Sequence, residues 1–294
     1  MAIFNGCGAA MVTPFGANGQ IDYEVLERYI EHLIAGGVSA LIPFGTTGEP
    51  PTVTPAEYEK ATAFIIEKTA GRVPVIVGAG SNSTAAAAEK AARVKALGAD
   101  GALVVTPYYN KCTQKGIVEH YKAVAKAAKL PIIAYNVPTR TCVNVAPATI
   151  AELAKLDGVV GIKEASGDID QFQAAAEVCA DTGFDLYCGD DSLTVIAYAL
   201  GSLGTISVAA NPAPKQMSEL CELCAAGDYV NARKLQFKLS EFIHSLFCEV
   251  NPIPAKKAMQ LIGIDVGAPR LPLTELEPEH VKLLEKTMRG AGIL

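Results

Sequence analysis

Short apolar runs rich in β-branched and small residues recur along the chain at intervals of roughly 20 to 35 residues, and each is followed by a stretch with helical spacing of apolar positions. Eight such runs are present, over 8–13, 39–44, 73–77, 102–106, 131–136, 184–188 and 204–208, plus one that leaves Gly158 and closes on Lys163. Behind the first, Ile21, Val25, Leu26, Tyr29, Ile30, Leu33 and Ile34 mark one helix face that stops at Gly36-Gly37. Thr54-Pro55-Ala56-Glu57 opens the second helix with a cap, a proline at the first helical position and a reciprocal glutamate. Strand and helix alternating eight times predict βα units that close into a TIM (β/α)8 barrel.

Beyond about residue 215 the strand pattern stops, and helical patterns remain over 217–226, 229–247, 254–262 and 278–289. The expected organisation is a catalytic barrel over 1–222 and a C-terminal helical domain over 223–294. A doubly wound open sheet is the fold alternative. It is disfavoured because no GxGxxG follows the first strand.

Composition narrows the function classes. Half of the 294 residues are hydrophobic, 19% are charged and the formal net charge is −6, so no basic stripe invites nucleic acid. The N-terminal residues Met1 to Cys7 lack the basic and long apolar segments of a signal peptide, so a cytoplasmic location is expected. Ser192 to Pro214 carries no charge and is long enough on paper to span a bilayer, but Gly201, Gly204, Pro212 and Pro214 break it into helix, turn and strand. No membrane partner is expected. The eight cysteines are scattered and read as free thiols, and the lone Cys221/Cys224 CxxC has no second ligand pair, so neither a metal nor any other cofactor is expected.

Barrel chemistry sits at the C-terminal ends of the strands, and this rim is rich in candidates: Thr46, Thr47, Tyr108, Tyr109, Tyr135, Arg140, Lys163, Gly189 and Asn211. An ammonium at the end of a buried strand is costly unless used, and desolvation favours the neutral amine that attacks a carbonyl. The alternative is a strand-end lysine paired with Glu164. Tyr135 has the phenol needed to shuttle protons, with Thr47 as candidate partner. The Gly45 to Gly48 turn can aim N–H groups and hydroxyls at a carboxylate, and Arg140 can clamp a second one bidentately. Asp190 and Asp191 read as a helix cap, and the Asn-Pro-Ala-Pro loop after the eighth strand is unlike a glycine-rich sugar-phosphate site.

The motifs Gly45-Thr46-Thr47-Gly48-Glu49, Thr106-Pro107-Tyr108-Tyr109-Asn110, Tyr135-Asn136-Val137-Pro138-Thr139-Arg140, Gly161-Ile162-Lys163-Glu164, Gly189-Asp190-Asp191 and Asn251-Pro252-Ile253-Pro254 span nearly the whole chain. With them the sequence resembles the 4-hydroxy-tetrahydrodipicolinate synthase (dihydrodipicolinate synthase) family, in the pyruvate-dependent class I aldolase superfamily that includes N-acetylneuraminate lyase. The resemblance implies that Lys163 forms a Schiff base with pyruvate and that Tyr135 is the acid/base, relayed through Thr47 to Tyr109 of a neighbouring subunit. It implies that Thr46 and Thr47 hold the pyruvate carboxylate, that Arg140 holds that of L-aspartate 4-semialdehyde, and that Gly189 and Ile206 line the pocket. A homotetramer of two tight dimers and a role in lysine and diaminopimelate biosynthesis follow from the same likeness. The alternative is a pyruvate aldolase or lyase of a sialic or sugar acid, against which Arg140 weighs. Lysine-inhibited members of the family place histidines and a glutamate where this chain has Pro55, Tyr58 and Ala86, keeping Asn82 and Tyr108, so feedback by lysine is expected to be weak or absent.

Overall fold

The structure, a computed structural model, describes residues 2–294. Eight strands form one sheet: β1 (Gly6–Ala10), β2 (Ala40–Ile42), β3 (Ile76–Gly78), β4 (Gly101–Val105), β5 (Ile132–Asn136), β6 (Val159–Glu164), β7 (Asp185–Cys188) and β8 (Gly204–Ser207). Their order is β2-β1-β8-β7-β6-β5-β4-β3 and every pairing is parallel. A parallel bridge between Leu41 and Val75 joins β2 to β3 and brings the sheet back on itself. The barrel read from the sequence is present.

Strand limits shift for local reasons. β1 stops at Ala10 because the Val12 N–H turns to the Asn211 side chain, 3.1 Å away, instead of a neighbouring strand. β3 starts at Ile76, after Pro74, which has no N–H to give a ladder.

The helices are α1 (Tyr23–Ala35), α2 (Pro55–Thr69), α3 (Thr84–Ala96), α4 (Gln114–Ala128), the single turn α5 (Pro138–Thr141), α6 (Pro147–Leu153), α7 (Ile169–Thr182), α8 (Thr194–Ala199), α9 (Pro214–Ala225), α10 (Tyr229–Ser245), α11 (Ile253–Leu261) and α12 (Pro278–Ala291). α1 buries Val25, Leu26, Tyr29, Ile30 and Leu33, the face its sequence marks. α2 begins with the reciprocal cap expected: the Thr54 hydroxyl accepts from Glu57 N, and the Glu57 carboxylate accepts from Thr54 N. Residue 222 lies inside α9, which packs on β1 and β8 as part of the helical ring, while α10 packs on α9 and α12. No helix among the described residues is long and apolar enough to cross a membrane.

The strand pleat separates two apolar layers. One fills the barrel interior with Ile42, Ile76, Leu103, Ile133, Tyr135, Tyr187 and Ile206, and the other lies between strands and helices. Burying each such large side chain contributes roughly 1.5–3 kcal/mol. Polar groups set into the inner layer are therefore held by a packed wall.

Candidate active site

The position of Lys163 follows from strand register. Tyr135 on β5 is its partner on one side and Tyr187 on β7 on the other, and paired residues of parallel strands face the same way. Tyr135 and Tyr187 belong to the interior layer, so Lys163 points inward at the C-terminal end of the barrel. A register shift opposite Ile132 and Ile133 sets this alternation, and on its other side Gly161 lets β6 lie close against β7. A Cβ at Gly161 would fall 2.5 Å from the Asp185 carbonyl oxygen, closer than two non-bonded atoms can approach.

Lys163 is 5% exposed, and its Nζ lies 4.4 Å from the centroid of the Tyr135 ring. It has no salt bridge among the described residues. Glu164 faces the opposite side of the strand. Its carboxylate accepts from Asn136 Nδ2 at 2.8 Å and from Ser166 N at 2.6 Å, which removes the Lys163–Glu164 pair as an account of the lysine. Gly189 closes the space beside the Lys163 side chain: a Cβ there would lie 2.5 Å from Ala165 Cβ and 2.7 Å from Lys163 Cε. Ile206 is fully buried in the interior layer.

The Gly45 to Gly48 turn is a single 3-10 turn over Thr46–Gly48, tied down by the Thr13 hydroxyl, which donates to Gly48 O at 2.6 Å. The two threonines separate here. Thr46 Oγ1 is 3.5 Å from the Tyr135 hydroxyl, whereas Thr47, 2% exposed, accepts from Asn251 Nδ2 at 3.0 Å. The sequence reading puts Thr47 beside Tyr135; the structure puts Thr46 there, because successive residues of a 3-10 turn point about a third of a turn apart.

Arg140, in α5, is exposed and donates from Nη2 to Asn251 O at 3.1 Å. Tyr135, Thr46 and Arg140 share one cleft of about 360 Å³, walled by Val137, Tyr108, Pro252 and Leu273. Lys163, Thr47, Gly189 and Ile206 do not line that cleft; Lys163 lies over the Tyr135 ring that does. Tyr109 stands apart, 91% exposed, with φ +70. A non-glycine residue in that region is uncommon, and an exposed tyrosine held there presents its ring outward.

Three contributors have no role in the sequence reading. Tyr187 stacks on Phe4 with centroids 4.5 Å apart and donates to Phe4 O at 3.0 Å, sealing the barrel beneath Lys163; burial pushes its phenol up. Asn251 touches both Thr47 and Arg140. Glu49 follows the threonine turn and is buried against Lys256. Both Asn251 and Glu49 sit in the quoted motifs, which was the available signal. Asp190 caps the turn that follows β7, accepting from Ser192 N at 2.9 Å, as its sequence suggests.

A buried lysine, a phenol against it, hydroxyls on a tight turn and an arginine at the cleft mouth suit imine chemistry on a carboxylated ketone. Comparison with known proteins agrees. The model of the dihydrodipicolinate synthetase family matches residues 3–291. A 4-hydroxy-tetrahydrodipicolinate synthase of Caldicellulosiruptor bescii is 45% identical over 293 residues, covering 100% of this chain and 99% of the relative. The dihydrodipicolinate synthase structure from Thermotoga maritima is 44% identical and superposes with a TM-score of 0.97, covering 100% of both chains. The one from Cyanidioschyzon merolae, solved with lysine bound, is 38% identical with a TM-score of 0.96, again over 100% of both. The chain belongs to the dihydrodipicolinate synthetase family.

Proposed function

We infer that this protein is a 4-hydroxy-tetrahydrodipicolinate synthase, a lyase of the Schiff-base aldolase type that condenses pyruvate with L-aspartate 4-semialdehyde in lysine and diaminopimelate biosynthesis. The observation that carries the mechanism is the placement of Lys163 and Tyr135 side by side on β6 and β5 at the catalytic rim, with the lysine free of any carboxylate. Neutral Lys163 adds to the pyruvate ketone, and loss of water from the carbinolamine leaves the iminium. Release of a C3 proton gives the enamine, whose carbon bonds to the semialdehyde aldehyde carbon. The amine of the second substrate then attacks the iminium carbon, and Lys163 departs as the ring closes. Tyr135 carries the protons, and hydroxyls of Thr46 and Thr47 with the N–H groups of their turn receive the pyruvate carboxylate. Arg140 receives the carboxylate of the semialdehyde.

In this reading the relay partner of Tyr135 is Thr46, on the 3.5 Å contact, and the relay continues to the partner subunit's Tyr109. The exposure of Tyr109 supports that step, since its ring has no role within its own subunit. Assembly as two tight dimers in a tetramer accords with the large apolar groups left outside, among them Ile169, Ile196 and Phe237. Light scattering on the purified protein tests it.

Lysine feedback is weak or absent. The Tyr58 hydroxyl is already used, donating to Gly78 O at 2.9 Å, and Ala86 has no carboxylate to meet an ammonium. Losing such a partner is costly, and half-inhibition by lysine below about 1 mM, an affinity near 4 kcal/mol, contradicts the reading.

The deciding experiment follows pyruvate consumption with and without aspartate semialdehyde, with protein inactivated by pyruvate plus borohydride as control. Semialdehyde-dependent turnover absent from the control supports the synthase. Trapping on Lys163 without semialdehyde consumption points to the sialic or sugar acid aldolase.

A further inference from the structure

Glu49 and Lys256 form the most deeply buried ion pair among the described residues. The Glu49 Oε1 to Lys256 Nζ distance is 2.9 Å and the two side chains are 1% and 2% exposed. The other carboxylate oxygen of Glu49 accepts the Arg270 N–H at 3.0 Å, and Lys256 Nζ also donates to Ala268 O at 3.1 Å and lies 4.2 Å from the Phe15 ring centroid. Glu49 itself has φ +54, a left-handed conformation that a side-chain-bearing residue keeps only where its surroundings impose it.

The location matters more than the pairing. Glu49 is the residue next to the turn that carries Thr46 and Thr47, and Lys256 is on α11 of the helical extension. Five residues before Lys256, Asn251 donates to Thr47 Oγ1 and accepts from Arg140. One short segment of the extension thus grips the threonine turn through Glu49 and Thr47, and the arginine through Asn251. A buried ion pair is a poor source of stability, since apolar residues of like volume usually serve as well. Here its hydrogen bonds tie Glu49, Lys256, Ala268 O and the Arg270 N–H to one another, and burial lowers the Lys256 pKa to about 8 against the raising effect of Glu49.

We infer that Lys256 is a positioning residue for the reaction: through Glu49 it fixes the turn that presents Thr46 and Thr47, so the helical extension completes the active site. This rests on the roles given above to Lys163, Tyr135 and the two threonines.

The test uses the full-length protein carrying Lys256→Met together with Glu49→Gln, which removes both charges and strands neither. Its thermal midpoint is expected close to that of the wild type, while KM for pyruvate rises at least tenfold and kcat falls at least tenfold. Lys256→Arg, which restores a charged donor, is expected to recover most of the pyruvate KM. If the double variant does not fold, Glu49→Asp takes the same measurements: it keeps both charges in the junction and shortens the carboxylate arm that ties the turn to Lys256. A folded variant with wild-type KM and kcat overturns the inference. Wild-type protein that pyruvate and borohydride fail to trap at Lys163 overturns the underlying reaction instead, so the two failures are told apart.

Discussion

The Thr46 hydroxyl lies 3.5 Å from that of Tyr135, while the neighbouring Thr47 hydroxyl is turned to Asn251 at 3.0 Å. Adjacent and chemically identical, the two threonines face different partners, and a proton relay through Tyr135 runs through the nearer one. Thr46→Val is expected to lower kcat about 100-fold, within the range for losing general acid/base assistance, with the fold intact. Thr47→Val loses the Asn251 contact and is expected to act mainly on KM for pyruvate. Steady-state kinetics of both variants decides: a larger kcat loss in Thr47→Val returns the relay to that residue.

Gly189 has no room for a side chain. A methyl group there meets Ala165 Cβ at 2.5 Å and Lys163 Cε at 2.7 Å, and the Gly189 N–H, which donates to Glu164 O at 2.7 Å, keeps the backbone from retreating. Gly189→Ala should displace the Lys163 side chain and cost about 1–3 kcal/mol of stability, the usual range for overpacking. Borohydride trapping of pyruvate is expected to slow at least tenfold in protein that is still folded by circular dichroism. Trapping at the wild-type rate would show that the lysine does not need this space.

The barrel and its rim were legible because each rests on local signals. Apolar runs at regular spacing mark the strands, and an ionisable residue closing one of them marks Lys163. What was not legible depends on contacts between distant segments: Asn251 meets Thr47 across 204 positions and Lys256 meets Glu49 across 207. Nothing near Lys256 in the sequence distinguishes it from the adjacent Lys257, which remains half-buried and reaches only Gln260. The choice between Thr46 and Thr47 was likewise out of reach, since it depends on which way a 3-10 turn faces rather than on residue type. Tyr187 reads as an ordinary apolar strand residue until register places it beside Lys163.

Tyr109 is 91% exposed, has φ +70 and makes no side-chain hydrogen bond among the described residues. Removing its hydroxyl therefore costs its own subunit nothing. Tyr109→Phe is expected to leave the thermal midpoint and the oligomeric state unchanged and to lower kcat about 10- to 100-fold, if the phenol joins the relay of a partner subunit. The kinetic assay is read alongside light scattering, so loss of assembly is not mistaken for loss of chemistry. Unchanged kcat in an intact assembly removes Tyr109 from the relay.

Asp191 links the loop after β7 to the loop after β8. Its Oδ2 accepts from Val208 N and Ala209 N, both at 2.9 Å, while Oδ1 is buried without a partner. Burial raises its carboxyl from 3.8 to about 6, against the lowering effect of the Ser207 hydroxyl and the two N–H groups and with some help from the Asp190 charge. Between about pH 4 and pH 6 the native protein holds a proton that the unfolded chain has released. The contribution of Asp191 to stability is therefore greatest below pH 4 and is lost as pH rises through 6, by roughly 3 kcal/mol at 1.36 kcal/mol per pH unit. Asp191→Asn removes the titration. Urea unfolding at pH 4, 5, 6 and 7 should show the stability difference, wild type minus variant, falling with pH over that window. A difference that stays constant from pH 4 to 7 would mean that the Asp191 carboxyl titrates alike in the folded and unfolded chains.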